Sequence, residues 1–291
     1  MVHISPTGLE SFDCRLKWHW GHQLNYRPIR QNNNLQLGIG IHKALEFYYA
    51  KRIDPIKTFT EWIDAEIAKI SGDWMEDAQK MIQARTLGIS MLEGYLQEYK
   101  GKEPFKVVAT EKEMHRLLPI PGTTKLTDCQ VTVRIDTIVR DTELNKLYVL
   151  EHKTFSRFSP DHLNRDHQIV AQAWVAESEL PGKEISGVIY NGLRKQVAGP
   201  RVKVALFERH YVNINQSQKD IFLERAYWTY RQMIDPKLHI FPQPNTVRCS
   251  WCAFKEPCSA YCKGGDYEFI LKTMFEGNDQ PTVEGLEEPE E

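Results

Sequence analysis

The segment "VRIDTIVRDTELNKLYVLEHKT", residues 133–154, decides the fold of this chain. β-branched and apolar residues alternate with polar ones on both sides of the turn "DTELN", which predicts two antiparallel strands joined as a hairpin. Residues two apart on a strand project to the same face, so Glu151 and Lys153 share one face while His152 points to the other. The hairpin also brings Asp136 of the first strand close to the end of the second.

Two carboxylates beside a lysine are suited to hydrolytic chemistry. Asp136 lies among apolar neighbours in "VRIDTIV", where an unpaired charge is costly. Magnesium accepts one or two protein carboxylates and takes its other oxygens from water and substrate phosphate. Such an ion lowers the pKa of a bound water, and a lysine beside it can orient the hydroxide or offset developing negative charge. The alternative is an ordinary ion pair between Glu151 and Lys153 with a capping aspartate.

The flanking segments predict an α/β fold, a mixed central sheet flanked by helices. Apolar residues at helical spacing favour helices, and short alternating runs favour strands. The predicted helices are 40–51, 58–70, 79–99, 166–180 and 217–234, the last with its N-cap at Ser217 or an immediate neighbour, and the predicted strands are 105–118, 130–140, 146–154, 184–195 and 204–215. The fold would therefore have a helical N-terminal portion and a cysteine-rich C-terminal segment.

Composition indicates one globular domain, residues 1–275, followed by an acidic tail, residues 276–291. The 291 residues are 41% hydrophobic and 26% charged, enough for a sizeable core. The tail has seven acids and no base, so we expect it to be disordered; removing it from the net charge of −2 leaves +5 for the rest. No apolar run suits a signal peptide or a membrane span, which favours a cytoplasmic protein without a membrane partner.

The run "IDTIV", a short turn and "LYVLEHKT" resembles the core of the PD-(D/E)XK nuclease superfamily. More narrowly it is similar to the RecB-like group, which includes the AddB nuclease domain and the exonucleases of CRISPR adaptation. The resemblance implies a restriction-endonuclease-like core in which Asp136 and Glu151 hold Mg²⁺ or Mn²⁺ and Lys153 assists the attacking water. The group adds a histidine ligand from an N-terminal helix, and "GIGIHKALE" supplies His42 there.

The resemblance also implies two supporting residues. A glutamate of the strand before the hairpin is a further candidate metal ligand, and Glu111 in "VVATEKE" fits, although Glu113 shares its face and either is alternatively a solvated residue. Relatives carry a catalytic glutamine on the helix after the E-x-K strand, in a pattern Q-x-x-x-Y. Here "DHQIVAQAW" gives Gln168, but Gln172 stands where the tyrosine would be, on the same helix face.

Four of the six cysteines crowd into "RCSWCAFKEPCSAYC", as Cys249, Cys252, Cys258 and Cys262. These four thiolates could hold a zinc ion. The RecB-like iron–sulfur nucleases instead combine a C-x2-C-x5-C run with one cysteine near the N-terminus. The resemblance therefore implies a [4Fe–4S] cluster on Cys14, Cys249, Cys252 and Cys258, with Cys262 spare. A cluster that joins distant parts of the chain would be chiefly structural.

Two stretches are candidate nucleic-acid contacts. Basic and aromatic residues alternate in "CRLKWHWGHQLNYRPIRQ", so Arg15, Lys17 and Trp18 could follow phosphates and stack on bases. In "NGLRK", Arg194 and Lys195 could contact backbone phosphates. The alternatives are a helix packed on a metal cluster and solvated basic residues at a strand end.

Together, the resemblance implies a Mg²⁺- or Mn²⁺-dependent deoxyribonuclease of a bacterial or phage-infected cell. It would be an exonuclease that acts on single-stranded DNA or duplex ends in recombination, replication or end processing. The chain has no G-x-x-x-x-G-K-[ST] phosphate loop, so strand separation would come from a helicase or recombination partner. The competing hypothesis is a non-catalytic DNA-binding or assembly subunit that keeps the fold and the metal cluster.

Overall fold

The computed structural model describes residues 2–29, 33–70, 75–180, 182–197, 199, 202 and 204–277, without the side chains at 33, 34, 75, 111 and 112. The strands are β1 (Val2–Ile4), β2 (Arg27–Pro28), β3 (Phe105–Pro119), β4 (Leu126–Asp141), β5 (Leu147–Phe155), β6 (Ile185–Arg194), β7 (Phe207–Asn213) and β8 (Phe275–Glu276). The α-helices are α1 (Pro6–Ser11), α2 (Arg15–Trp18), α3 (Asn33–Lys51), α4 (Pro55–Ala68), α5 (Met75–Tyr99), α6 (His167–Ala176), α7 (Gln216–Met233), α8 (Thr246–Ser250), α9 (Lys255–Cys262) and α10 (Tyr267–Met274). In this part of the chain, no helix combines the length and the apolarity needed to cross a membrane.

The chain forms two compact units. One, here called the sheet unit, draws its described residues from 32–114 and 133–219. The other, here called the cysteine unit, draws them from 1–31, 115–132 and 220–291. Strands β3 and β4 and helix α7 contribute residues to both.

The sheet unit contains the predicted mixed sheet. The hairpin strands β4 and β5 pair antiparallel, with Thr137 opposite Leu150. Strand β5 pairs parallel with β6, and β6 pairs antiparallel with β7, where Asn191 stands opposite Arg209. The parallel β5–β6 connection is a crossover through α6, the usual solution for parallel neighbours. The predicted fold class, a mixed sheet flanked by helices, is therefore confirmed.

Helices α3, α4 and α5 pack together with one face of this sheet. Tyr148 and Leu150 project from that face into a core shared with the three helices, as the alternation along β5 requires. Helix α3 approaches α4 closely at Gly40, where an added Cβ would lie 2.6 Å from the Trp62 ring. The second glycine in "GIGIHKALE", Gly40, therefore allows α3 and α4 to pack closely. This packing sets the position of His42, one half-turn later.

The cysteine unit brings together residues far apart in sequence. Strand β1 pairs parallel with the first half of β4, from Val2 opposite Cys129, and β2 pairs antiparallel with β8. Its apolar cluster contains Leu16, Trp20, Tyr26, Phe254, Leu271 and Phe275. The expectation of a single domain closed by a metal cluster stays a prediction, and residues 278–291 of the expected acidic tail lie outside the described residues.

The predicted elements are present, with changes at their ends. Helix α3 begins at Asn33, seven residues before the predicted start, and α6 ends at Ala176 before a short 3₁₀-helix. The expected N-cap of α7 is wrong, because Ser217 lies inside the helix. Asn215 caps it instead: its side-chain oxygen accepts the Gln218 N–H at 2.9 Å, and the Gln218 side chain accepts the Asn215 N–H at 3.0 Å. This reciprocal pair satisfies two amides at once.

Candidate active site

Glu151 lies in the middle of β5 with only 3% of its surface exposed. Its Oε1 pairs with Lys153 Nζ at 2.6 Å and accepts a hydrogen bond from Gln168 Nε2 at 3.1 Å. Its Oε2 accepts a hydrogen bond from Gln172 Nε2 at 2.7 Å. Both glutamines come from α6, one turn apart, so this helix and the strand itself hold the carboxylate.

Asp136 lies on β4 and is held from two sides. Its Oδ2 pairs with His42 Nδ1 of α3 at 3.2 Å and accepts the main-chain N–H of His152 at 2.9 Å. The structure therefore places His42, from a helix about ninety residues earlier in the chain, directly beside Asp136. The hairpin register, with Thr137 opposite Leu150, brings that aspartate beside Glu151 and His152, as the sequence predicts.

The two ion pairs interact electrostatically. Burial alone lowers the pKa of His42, but the hydrogen bond and charge of Asp136 outweigh it and raise that pKa. Burial alone raises the pKa of Asp136, but the hydrogen bond and charge of His42, together with the charge and main-chain N–H of His152, outweigh it and bring the pKa to about 2. Burial, reinforced by the charge of Asp136, raises the pKa of Glu151. For Lys153 the Glu151 carboxylate outweighs burial, and the pKa rises. The two carboxylates are thus close enough to repel each other.

A buried polar network lies on the face of β5 opposite to Glu151 and Lys153. Asn191 Nδ2 meets His152 Nδ1 at 2.7 Å, and Arg209 Nε donates to Asn191 Oδ1 at 2.9 Å. Arg209 Nη2 also donates to the hydroxyls of Tyr49 and Tyr95, at 3.2 and 3.0 Å. Because arginine only donates, the Asn191 oxygen faces it and the amide donates to His152. Burial lowers the pKa of His152 to about 3, so the ring is neutral and carries its proton on Nε2.

A model of the PD-(D/E)XK nuclease superfamily matches residues 3–259, a range that contains all the side chains described above. The chain belongs to the PD-(D/E)XK nuclease superfamily. Membership implies a nuclease that hydrolyses phosphodiester bonds. A comparison with curated proteins finds no significant match.

The glutamines of this PD-(D/E)XK chain differ from the expected pattern in one respect. Gln168, the predicted residue, contacts Glu151, and so does Gln172, which occupies the expected tyrosine position. The sequence predicts that both lie on one helix face, and the resemblance implies a role for Gln168 alone. The side chain of Glu111, on β3, lies outside the described residues.

The basic residues predicted at the end of β6 are engaged within the sheet unit. Arg194 donates to the carbonyl oxygens of Ala205 and Ser156 at 2.9 and 3.2 Å, and to Glu208 at 3.2 Å. Lys195 is half-buried, and burial lowers its pKa. Arg194 therefore supports the β6–β7 end of the sheet.

The N-terminal basic and aromatic residues lie in the cysteine unit. Arg15 donates to Gln232 at 3.2 Å, and its guanidinium lies 4.9 Å from the centre of the Phe241 ring. Lys17 is exposed. Trp18 is only 7% exposed, so its ring is not open to a stacking base in this structure.

The cysteine unit contains a cavity of about 250 Å³ that is rich in thiols. Five cysteines contribute to its lining: Cys14, Cys249, Cys252, Cys258 and Cys262. Main-chain amides point at two of the sulfurs, since the Gln243 N–H donates to Cys14 Sγ at 3.4 Å and the Asn245 N–H to Cys249 Sγ at 3.3 Å. The structure thus brings Cys14 to the C-terminal cysteines, as the sequence interpretation requires.

Burial affects the protonation of these thiols. It raises the pKa of Cys252, and it raises the pKa of Cys258 to about 11. In the described residues, no three or more His, Cys, Asp or Glu side chains are arranged as a finished metal site. The carboxylates of the active-site cluster are hydrogen-bonded to protein donors instead.

Proposed function

We propose that this protein is a divalent-metal-dependent DNA nuclease of the RecB-like iron–sulfur group, and that it acts as an exonuclease. One observation carries the proposal. His42, Asp136, Glu151 and Lys153 come from three elements and form two partly buried ion pairs whose carboxylates influence each other. A purely structural role would be satisfied by either pair alone, whereas two acids, an imidazole and an ammonium in one place suit phosphoryl chemistry.

The donor chemistry of this cluster fits Mg²⁺ or Mn²⁺. His42, Asp136 and Glu151 would hold the ion, with Glu111 as a further candidate, because hard divalent ions prefer carboxylate oxygens and manganese also accepts imidazole. When bound, the ion lowers the pKa of a water molecule and offsets negative charge on phosphate oxygens.

The other contributions come from the side chains themselves. Asp136, with its pKa of about 2, is ionised at any working pH. Lys153, whose pKa is raised by Glu151, stays an ammonium and can orient the attacking water or donate to a phosphate oxygen. Gln168 keeps Oε1 of Glu151 fixed through its 3.1 Å hydrogen bond.

The thiol-lined cavity fits a [4Fe–4S] cluster held by Cys14, Cys249, Cys252 and Cys258. Two observations support this proposal: Cys14 reaches the cavity from the N-terminal part, and main-chain amides donate to two sulfurs. Amide-to-sulfur hydrogen bonds of this kind stabilise thiolate ligands. Bound there, the cluster would link the N-terminal and C-terminal segments of the cysteine unit through its bonds to the four cysteines. Zinc on Cys249, Cys252, Cys258 and Cys262 is the competing occupant, since Cys262 also lines the cavity.

The DNA substrate and the biological role belong to the same proposal. We infer single-stranded DNA or duplex ends as substrate, and recombination, replication or end processing as context. The exposed Lys17 lies on the cavity wall beside the cysteines, where it could contact a phosphate. A helicase or recombination protein would separate the strands.

End-labelled linear and closed circular DNA, incubated with anaerobically prepared protein and Mn²⁺ or Mg²⁺, tests this proposal. We expect degradation of linear DNA, little cleavage of circles, and a loss of roughly 10²-fold or more in Asp136→Asn and Lys153→Met. Asp64→Asn and Lys57→Met, which change exposed residues of the sheet unit, are the matched controls. DNA binding without any cleavage by the wild type would favour the non-catalytic subunit, and cleavage retained in both variants would refute the site.

A further inference from the structure

Gln172, at the position where the expected pattern has a tyrosine, lies closer to Glu151 than Gln168 does. Its side chain is 2% exposed, and its Nε2 lies 2.7 Å from Glu151 Oε2, against 3.1 Å for Gln168 and Oε1. The carboxylate accepts only, so the nitrogen of the Gln172 amide must face it. The side-chain oxygen of Gln172 is buried without a hydrogen-bond partner among the described residues.

The same amide nitrogen also connects Glu151 to the strand of Asp136. Gln172 Nε2 lies 3.4 Å from the carbonyl oxygen of Arg134, two residues before Asp136 on β4. One side chain on α6 thus contacts both strands that carry the acids. A buried oxygen without a hydrogen bond costs stability. Gln172 has such an oxygen, while its amide nitrogen donates to the Glu151 carboxylate.

The two oxygens of Glu151 are not used equally. Oε1 receives both Lys153 and Gln168, whereas Oε2 receives Gln172 alone among the described residues. A carboxylate oxygen has two lone pairs. Oε1 is therefore saturated, and Oε2 retains one lone pair whose direction is fixed by the Gln172 contact.

We propose that Gln172 is a positioning residue that orients Glu151 so that Oε2 is its ligand atom for the divalent ion. This inference rests on the proposed function. Gln172 does not touch the substrate; it acts by preventing rotation of the carboxylate about its Cγ–Cδ bond. Partners of metal-ligating carboxylates contribute about 10- to 100-fold to metal affinity or activity, and we expect an effect in that range.

Gln172→Met, which keeps the length and removes the donor, tests the inference. Mn²⁺ binding, followed by the electron paramagnetic resonance signal of free Mn²⁺ in titrations of the full chain, should weaken about tenfold or more. The kcat for linear DNA should fall about 10- to 100-fold, with KM for DNA within about twofold. Gln97→Met, at an exposed position of α5, is the matched control. Thermal unfolding without metal reports on folding.

A shorter amide provides the second variant. Gln172→Asn keeps the donor but withdraws it by one methylene, so its Mn²⁺ affinity should lie between those of the wild type and Gln172→Met, even if the methionine variant folds poorly. Wild-type Mn²⁺ affinity and kcat in folded Gln172→Met would overturn the inference, and so would a lower unfolding temperature with unchanged Mn²⁺ affinity. If the wild type itself neither binds Mn²⁺ nor cleaves DNA, the proposed function fails and this inference fails with it.

Discussion

Asp136 is fixed by the main chain of His152, whose N–H donates a 2.9 Å hydrogen bond to its Oδ2. His152 stands between Glu151 and Lys153 on β5, so the position of this one strand sets the place of both acids. On the opposite face of β5, Asn191 holds the His152 ring at 2.7 Å. A change in the buried network behind β5 should therefore reach the carboxylates through the backbone.

Replacing Asn191 by leucine should destabilise the protein by about 2–4 kcal/mol. The reason is that the fully buried His152 Nδ1 and the partly buried Arg209 Nε would each lose a hydrogen-bond partner. Urea unfolding of the variant beside Asn164→Leu, an exposed position, measures the difference. A leucine variant within about 0.5 kcal/mol of the wild type would show that the network contributes little.

The contribution of the β4–β5 turn to the stability of the protein should depend on pH. Burial alone raises the pKa of Asp141, but hydrogen bonds from the Leu144 and Glu143 amides and the Tyr211 hydroxyl outweigh it and lower that pKa. Because the pKa of Asp141 is lower in the folded protein, the ionised carboxylate stabilises the fold at pH values above its ordinary pKa near 3.8. This stabilisation is lost as the pH falls through the lowered pKa of the folded protein.

Asp141→Asn should therefore cost about 1 kcal/mol at pH 7 and progressively less below about pH 4. Unfolding curves at several pH values between 7 and 3 measure this, with Asp64→Asn as the surface control. A penalty that stays constant across the range would mean that the charge of Asp141 is not what stabilises the turn.

The thiol-lined cavity makes opposite predictions for two cysteines. If a [4Fe–4S] cluster is bound, Cys14→Ser should lose visible absorption and most of the iron, whereas Cys262→Ser should keep both. If zinc is bound by the four C-terminal cysteines, the two variants should behave in the reverse way and the protein should be colourless. Metal analysis and absorption spectra of anaerobic preparations decide between them, and wild-type iron content in Cys14→Ser would contradict the proposed ligand set.

The hairpin was predictable because its information is local. Alternation along 133–154 and a polar turn fix which side chains share a face, and the register then brings Asp136 to Glu151. The prediction that His42 lies in the site came from the family resemblance, since no local sequence pattern indicates that it contacts Asp136. The core that seats α3 depends on packing contacts such as Gly40 against Trp62, which sequence alone does not determine.

The remaining features depend on contacts between distant elements. Arg209 and Asn191 look like ordinary polar residues of strands until the β6–β7 pairing places them side by side. Trp18 looks like an exposed aromatic beside basic residues, yet it is buried. Gln172 was visible as a departure from a pattern, and its hydrogen bond to Glu151 required the position of α6 over β5.

Anomalous scattering from crystals soaked in Mn²⁺ tests most directly whether the cluster of His42, Asp136, Glu151 and Lys153 is a metal centre. We predict one strong peak within coordination distance of His42, Asp136 and Glu151, and its loss in Asp136→Asn crystals. A peak elsewhere, or no peak in crystals of protein that cleaves DNA with Mn²⁺, would contradict the proposal that these three side chains hold the catalytic ion.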